Sequence, residues 1–327
     1  MIRQFGQTAA GAPVAAVTIA AGGLSACILT LGSVLQDVRL QGRARGLTLG
    51  FDSVAGYETA KGYHGAIVGP LANRLAGASA DIAGRRYDFA ANEPSGALLH
   101  SGAPGVHRRL WQVADHGPAH LRLVLDLADG EDGFPGNRRL TAEWRVAEGP
   151  VLALRLQAVS DADTLMNLAN HSYWNLDGAA DTAGHHLRIA ADRVTEVDAA
   201  LLPTGRLLPV AGTALDFRAG QRLGPGAPPL DHNFCLSDGA EPLREVAWLQ
   251  AGGPEGGLRL ALATDAPGLQ VYDHRHTEPG GPGPDAGIAL EPQAWPDAPH
   301  HPGFPPVVLR AGAVWEQAVE WRFARVG

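Results

Sequence analysis

An all-β protein built as a sandwich or a barrel is what this sequence predicts, and three observations carry that expectation. Strand-length apolar runs recur along the whole of its 327 residues, and 42 Gly and 24 Pro punctuate them from end to end. No stretch shows the sustained apolar period of a long helix. Short strands broken by turns about every 8–12 residues are the mark of sandwiches and barrels. The length allows one large all-β domain or two average ones. The loosest loops, 220–229 and 278–284, lack the polar composition of an interdomain linker, so residues 1–327 are read as a single domain.

The opening strands are expected over 14–20, 26–31, 34–40 and 47–51, short aliphatic runs with Gly between them and an antiparallel arrangement. A Gly-rich apolar segment, 62–77, follows, with Arg74 as its single charged residue. Ala83-Gly84 marks a hairpin between 80–82 and 85–89. The loop 92–105 carries Leu98-Leu99-His100-Ser101-Gly102, and Trp111 opens another strand. Runs 121–127, 138–146 and 151–159 alternate with period two, the first two joined by the turn-rich 129–137. Later strands are expected at 187–190, 193–197, 247–249, 258–264, 268–272, 287–290 and 314–325, with no internal repeat.

Composition excludes several classes of function. With 45% hydrophobic and 18% charged residues the chain can bury a sizeable core and is not largely disordered. A formal net charge of −8 offers no basic footprint for nucleic acid or an anionic membrane, which leaves small neutral ligands open. Cys27 and Cys235 lie far apart in apolar runs, with neither a disulfide framework nor a zinc-ligand spacing, and a reducing cytoplasm fits them best. Residues 9–23 are rich in Ala and Val, but Gly11, Pro13, Thr18 and Gly22-Gly23 keep them below signal-peptide strength. No stretch reaches the roughly 18 uninterrupted apolar residues of a membrane helix. A soluble, unprocessed protein is expected.

One stretch is too polar for an ordinary strand. Asn167-Leu168-Ala169-Asn170-His171-Ser172-Tyr173-Trp174-Asn175-Leu176 sets three Asn, a His, a Ser and two large aromatics among apolar residues. Buried polar groups need partners, so such a cluster is either a self-satisfied network or the wall of a polar pocket. Aromatic faces beside amides and an imidazole suit a sugar, with its C–H faces and its rim of hydroxyls. Four further polar sites sit in similar low-charge surroundings: Asn73-Arg74, His100, Asp231-His232-Asn233-Phe234 and Glu291-Pro292-Gln293-Ala294-Trp295. Each alone reads more readily as structural or solvated, and Asp-His-Asn-Phe also admits an Asx-type turn. The pairs His185-His186, His300-His301 and His274/His276 have no known metal-site spacing and are taken as solvated loops. No phosphate-cradling loop or nucleophile elbow is present, and neither metal nor cofactor is indicated.

Together these segments resemble the aldose 1-epimerase (galactose mutarotase) family. The resemblance runs through Gly-Ala-Ile-Val-Gly…Ala-Asn-Arg at 65–74, Leu-His-x-Gly at 99–102 and Asn-His-Ser-Tyr-Trp-Asn-Leu at 170–176. It continues with Leu-Leu-Pro-Thr-Gly at 201–205, Asp-Phe-Arg at 216–218, Asp-His-Asn-Phe at 231–234 and Glu-x-Gln…Pro-Asp-Ala-Pro at 291–299, in family order over nearly the whole chain. It implies a single large antiparallel β-sandwich with a sugar cleft on the concave sheet. It also implies His171 as general acid, Glu291 as general base, and Asn73, Arg74, His100 and Asp231 as groups that bind sugar hydroxyls. The expected partner is a free monosaccharide, and the expected state a monomer or weak dimer.

Exchanging anomers requires one group to take the C1 hydroxyl proton while another protonates the ring oxygen, so a carboxylate and an imidazolium suit the task. Each is expected to favour the other's charged form. Arg74 offers a fork of donors, Asp231 an acceptor and His100 either role. One or two of Tyr173, Trp174, Trp295 and Phe304 are expected to stack on the sugar. Against the family pattern, Pro70 stands in place of an Arg, Ser101 of a Gly and Pro292 of a Thr, and 271–276 departs from Tyr-Thr-Gly-Asn-Phe. Substrate preference is where these differences bear, and neutral aldoses such as galactose or glucose are the expected choice. The alternatives are a non-catalytic sugar-binding module on the same fold, or an epimerase for a phosphorylated or acidic sugar, for which Arg275, His274 and His276 would be the basic cluster.

Overall fold

Period-two alternation in the sequence becomes one buried face per strand. In Arg138–Ala147, residues Leu140, Ala142, Trp144 and Val146 are buried; in Val151–Ser160, Leu152, Leu154, Leu156 and Ala158 are. The two strands pair antiparallel with Trp144 opposite Leu154, so their apolar faces coincide. The computed structural model describes residues 1–103, 105–253, 255–274, 282–283 and 285–327. Among these, the largest sheet has nine strands, in the order Gln112–His116, His120–Leu127, Arg138–Ala147, Val151–Ser160, Val314–Val326, Gly257–Thr264, Arg244–Ala251, His186–Ile189 and Gln221–Arg222, each antiparallel to its neighbours.

A six-stranded sheet runs Tyr173–Trp174, Ile288–Gln293, Gly268–Tyr272, Asp231–Cys235, Arg193–Val197 and Pro203–Pro209, again antiparallel throughout. A four-stranded sheet is formed by Ile2–Gln7, Pro13–Ala21, Leu24–Leu29 and Leu35–Leu40. One core cluster joins all three, with Trp144, Leu154 and Trp321 from the first, Val271, Leu290 and Phe234 from the second, and Ile19, Ala26 and Ile28 from the third. This is the antiparallel sandwich that the alternation predicts.

The differences from the expected elements have local causes. The run 47–51 forms no strand, and only Thr48 bridges to Trp174. A six-residue helix, Val54–Thr59, follows it, capped by the Ser53 hydroxyl, which accepts from the Gly56 N–H at 3.2 Å. Pro203–Pro209 is a strand at the sheet edge, where its prolines cost no central ladder bonds. Asp231–Cys235 is a strand rather than an Asx-type turn. Its polar residues hide the alternation because one of its faces looks into a polar cavity rather than into the core.

Candidate active site

Register places the site's floor. Gln270 lies opposite Glu291 and Asn233, and Tyr272 opposite Asp231 and Ala289, while Tyr173 also lies opposite Ala289. Directly opposed residues share a face, so Asp231, Gln270, Tyr272, Glu291 and Tyr173 all project from one side of the six-stranded sheet. The residues between them, Leu269, Val271, Ile288, Leu290 and Phe234, enter the core. Ile288–Gln293 is buried on both faces, one against the core and the other beneath the pocket. The five polar or aromatic residues line a cavity of about 600 Å³ together with Tyr63, Asn73, Arg74, Glu93, His100, His171 and His274.

His171 is held by its backbone. Its N–H donates to the Ala66 carbonyl at 2.8 Å, and its own carbonyl accepts from the Gly65 N–H at 2.9 Å. The Asn170 amide Nδ2 donates to the Gly65 carbonyl at 2.9 Å. The Gly-Ala-Ile-Val motif is therefore the clamp on the imidazole. Gly65 sits at φ +69°, and a Cβ there would lie 2.3 Å from the Leu35 carbonyl oxygen, so only glycine fits.

Asn73, Arg74 and His100 form a second clasp. Arg74–Leu75 pairs with Leu98–Leu99, the His100 N–H donates to the Asn73 carbonyl at 3.0 Å, and the Asn73 N–H donates to His100 Nδ1 at 3.1 Å. Ser101, which departs from the family's Gly, keeps φ at 63° and uses its hydroxyl to accept from the Leu71 N–H at 2.8 Å. Tyr63, Asn73, His100, Ser101 and His274 all have positive φ without being glycine. Such conformations cost about 1–3 kcal/mol each and gather where a surrounding frame holds functional groups in place.

His171 Nε2 lies 3.6 Å from Glu291 Oε2, with both side chains almost fully buried. Here burial, rather than a partner's charge, is the leading influence on both groups. Burial pushes the His171 imidazole down to about 3, and it raises the Glu291 carboxyl well above the ordinary range, helped by the charge of Asp231 and opposed by Arg74. Loss of water thus disfavours the charged form of each group. Burial lowers His100 as well, with His171, His107 and Arg74 adding to the effect. Asp231 is raised first by burial, against the pull of Arg74, whose Nη1 is 3.8 Å from Oδ2, and of Gln270, whose amide donates to Oδ1 at 2.6 Å.

His100, His171 and Glu291 bring ligand-type atoms within 4.8 Å of one another. Since His100 Nδ1 accepts from the Asn73 N–H, the proton of its neutral ring is on Nε2, and neither nitrogen offers a free lone pair to a metal ion. The trio suits hydrogen bonding to hydroxyls.

All six residues singled out in the sequence, Asn73, Arg74, His100, His171, Asp231 and Glu291, meet in this one pocket. The aromatic expectation narrows to Tyr173, because Trp174, Trp295 and Phe304 are core residues and Trp295 Nε1 donates to the Pro267 carbonyl at 2.9 Å. The reading of the paired histidines as solvated fails for His185 and His274, both buried. His185 Nε2 accepts from the Leu176 N–H at 2.9 Å. His300 Nδ1 bonds Asp297 Oδ1 at 2.6 Å. Arg275 and His276 lie outside the described residues. Glu93, Gln270 and Tyr63 were not singled out. Alternation of Gln270 and Tyr272 with Leu269 and Val271 was a usable signal for Gln270, whereas Glu93 sits in a loop that carries no period.

Fold and site together define a β-sandwich protein with a buried imidazole and carboxyl at the floor of a polar cleft. The chain belongs to the aldose 1-epimerase family, whose sequence pattern it matches over residues 15–322. It is 35% identical to the galactose mutarotase of Bos taurus over 300 residues, covering 87% of this chain and 85% of that protein. It is 30% identical to the aldose 1-epimerase of Escherichia coli over 325 residues, 92% of each. Its fold is similar to that of a GalM/aldose epimerase homologue from C. elegans (TM-score 0.88, 28% identity, 95% of this chain and 99% of that one). It is also similar to galactose 1-epimerase from Lactobacillus acidophilus (TM-score 0.87, 26% identity, 100% and 99%).

Proposed function

We propose that the protein is an aldose 1-epimerase that interconverts the α and β anomers of a free neutral aldose such as galactose or glucose, with residues 1–327 acting as one domain. The observation that carries this reading is the approach of His171 Nε2 to Glu291 Oε2 at 3.6 Å on the floor of a pocket ringed by hydroxyl-binding groups. A sugar-binding module without catalysis would have no use for a buried acid–base pair.

In the proposed cycle the docked sugar's hydroxyls replace water around the pair and support Glu291 as carboxylate and His171 as imidazolium. Glu291 takes the proton of the C1 hydroxyl, the C1–O1 electrons form the carbonyl, the bond from C1 to the ring oxygen breaks, and His171 gives that oxygen a proton. Rotation about C1–C2 turns the other face of the aldehyde to the new hydroxyl. Reclosure returns one proton to His171 and the other to O1. The open-chain stage therefore leaves a neutral imidazole and a protonated carboxyl, the pair of states that burial favours. A dry site thus lowers the energy of the opened sugar relative to the charged pair. Arg74, His100, Asn73 and Asp231 hold the remaining hydroxyls.

Cys27 and Cys235 are free and buried, which is compatible with a reducing cytoplasm, and we take the protein to act there as a monomer or weak dimer. Among the described residues no helix is long and apolar enough to cross a membrane. Polarimetry on pure α-galactose and α-glucose tests the activity. Accelerated equilibration of at least one is expected, and no acceleration above the buffer rate for either would refute the reading. A panel that includes phosphorylated and acidic sugars tests the choice of neutral aldoses.

A further inference from the structure

We propose that Glu93 is the specificity-determining partner of Arg74: it fixes the guanidinium and cancels its charge, so that the pocket takes neutral aldoses and discriminates against sugars bearing a carboxylate or phosphate. This rests on the neutral-aldose reading above for its substrate class, and on separate geometry for its mechanism.

Arg74 Nε donates to Glu93 Oε2 at 2.8 Å, while Nη1 lies 3.8 Å from Asp231 Oδ2 on the far side. The guanidinium is thereby held between two carboxylates, with Arg74 only 13% and Glu93 only 20% exposed, unlike a freely solvated surface pair. The loop that carries Glu93 is tied to the strand pair that carries Arg74. Asn92 Oδ1 accepts from the Leu99 N–H at 2.7 Å and Asn92 Nδ2 donates to the Leu99 carbonyl at 3.1 Å, and Leu99 is the ladder partner of Arg74. The Glu93 N–H donates to the Ala97 carbonyl at 3.2 Å, and the Glu93 carbonyl accepts from the Gly96 N–H at 3.0 Å, which closes the turn. Glu93 therefore meets Arg74 through a built support rather than by side-chain chance.

The charge balance follows. Among the described residues lining the pocket, the cations are Lys61 and Arg74, and the carboxyl groups are Glu93, Asp231 and Glu291. Burial raises the Glu291 carboxyl well above its ordinary range and lowers His100 and His171, so it disfavours the charged form of each. Glu93, at 2.8 Å, is then the carboxylate nearest to Arg74 and the one that offsets its charge most directly, with Asp231 farther away at 3.8 Å. Without the charge of Glu93 the pocket gains one unit of positive charge, and Arg74 is released to pair with an anion on the ligand, its preferred partner geometry.

The test compares wild type, Glu93→Gln and Glu93→Asp by calorimetric binding of galactose and galacturonate at low and high salt, together with mutarotation kinetics on galactose. Wild type is expected to bind galacturonate at least about tenfold more weakly than galactose. Glu93→Gln is expected to narrow that gap by about tenfold, more at low salt than at high, because the effect is charge-based. Its KM for galactose should rise by about fivefold with a much smaller change in kcat. Glu93→Asp, which keeps the charge, should keep the gap. The inference is overturned if Glu93→Gln leaves the gap within about twofold of wild type, if Asp and Gln behave alike, or if wild type prefers galacturonate. Should galactose bind without being interconverted, the epimerase reading falls, while the binding gap still decides the role of Glu93.

Discussion

His171 and Glu291 face each other at 3.6 Å, and burial is the leading influence on both, lowering the imidazole and raising the carboxyl. In the proposed reaction they act as a unit that keeps one exchangeable proton between them. Glu291→Gln and His171→Asn are each expected to lower kcat by roughly 10²–10⁴-fold. The double variant should be little worse than the weaker single one, as for groups that serve one proton exchange. Rates from polarimetry check this. Losses that multiply in the double variant would mean that the two act independently.

The same shifts set the pH dependence. The pair becomes inactive when it gains a second proton on His171, far below the ordinary imidazole value and toward about 3, or loses its proton from Glu291, above the ordinary carboxylate range. For the free enzyme, kcat/KM should therefore be level between these limbs. A pH–rate profile with its acid limb centred near about 6.5, the value of an unperturbed histidine, would contradict the buried pair.

Gly65→Ala tests the clamp on His171. The added Cβ meets the Leu35 carbonyl oxygen at 2.3 Å at a residue with φ +69°. A stability loss of about 2–4 kcal/mol in urea unfolding is expected from strain and overlap. The surviving enzyme should lose kcat more than it gains KM, since the Gly65 N–H and the Ala66 carbonyl grip the His171 backbone. Unchanged kcat would show that the imidazole is positioned by something other than this clamp.

His64 offers a test of acid stability. It is 1% exposed, packed against Phe51, Tyr173 and His274 rings, and held by burial at about 3. Its folded value is depressed below its unfolded one, so its contribution is fully present above about pH 6.5 and is lost as pH falls toward 3, at about 1.4 kcal/mol per pH unit. In His64→Phe the drop in unfolding free energy between pH 7 and pH 4.5 should shrink by about 2–3 kcal/mol. An unchanged drop would show that His64 is not forced to charge on unfolding.

Much of this molecule was legible in its residues. Alternation marked three adjacent strands of the large sheet, His120–Leu127, Arg138–Ala147 and Val151–Ser160, because side-chain direction in a strand has a fixed period of two. The motifs around His171, Asn73-Arg74, His100, Asp231 and Glu291 pointed to one site through their resemblance, in family order, to the aldose 1-epimerases. The strand Asp231–Cys235 was less legible, because a sheet face turned to a polar cavity erases the apolar signal.

Sequence alone thus determined the all-β class and the faces of its alternating strands, which follow from local period, while the resemblance to the aldose 1-epimerase family is what singled out His171 and Glu291 as the proposed acid–base pair. Only the tertiary structure decided that Trp174, Trp295 and Phe304 belong to the core while Tyr173 lines the pocket, that Glu93 reaches Arg74 at 2.8 Å, and that burial disfavours the charged forms of His171 and Glu291. Desolvation and contact depend on which distant segments close over a residue, and no local pattern in the chain encodes how completely water is removed.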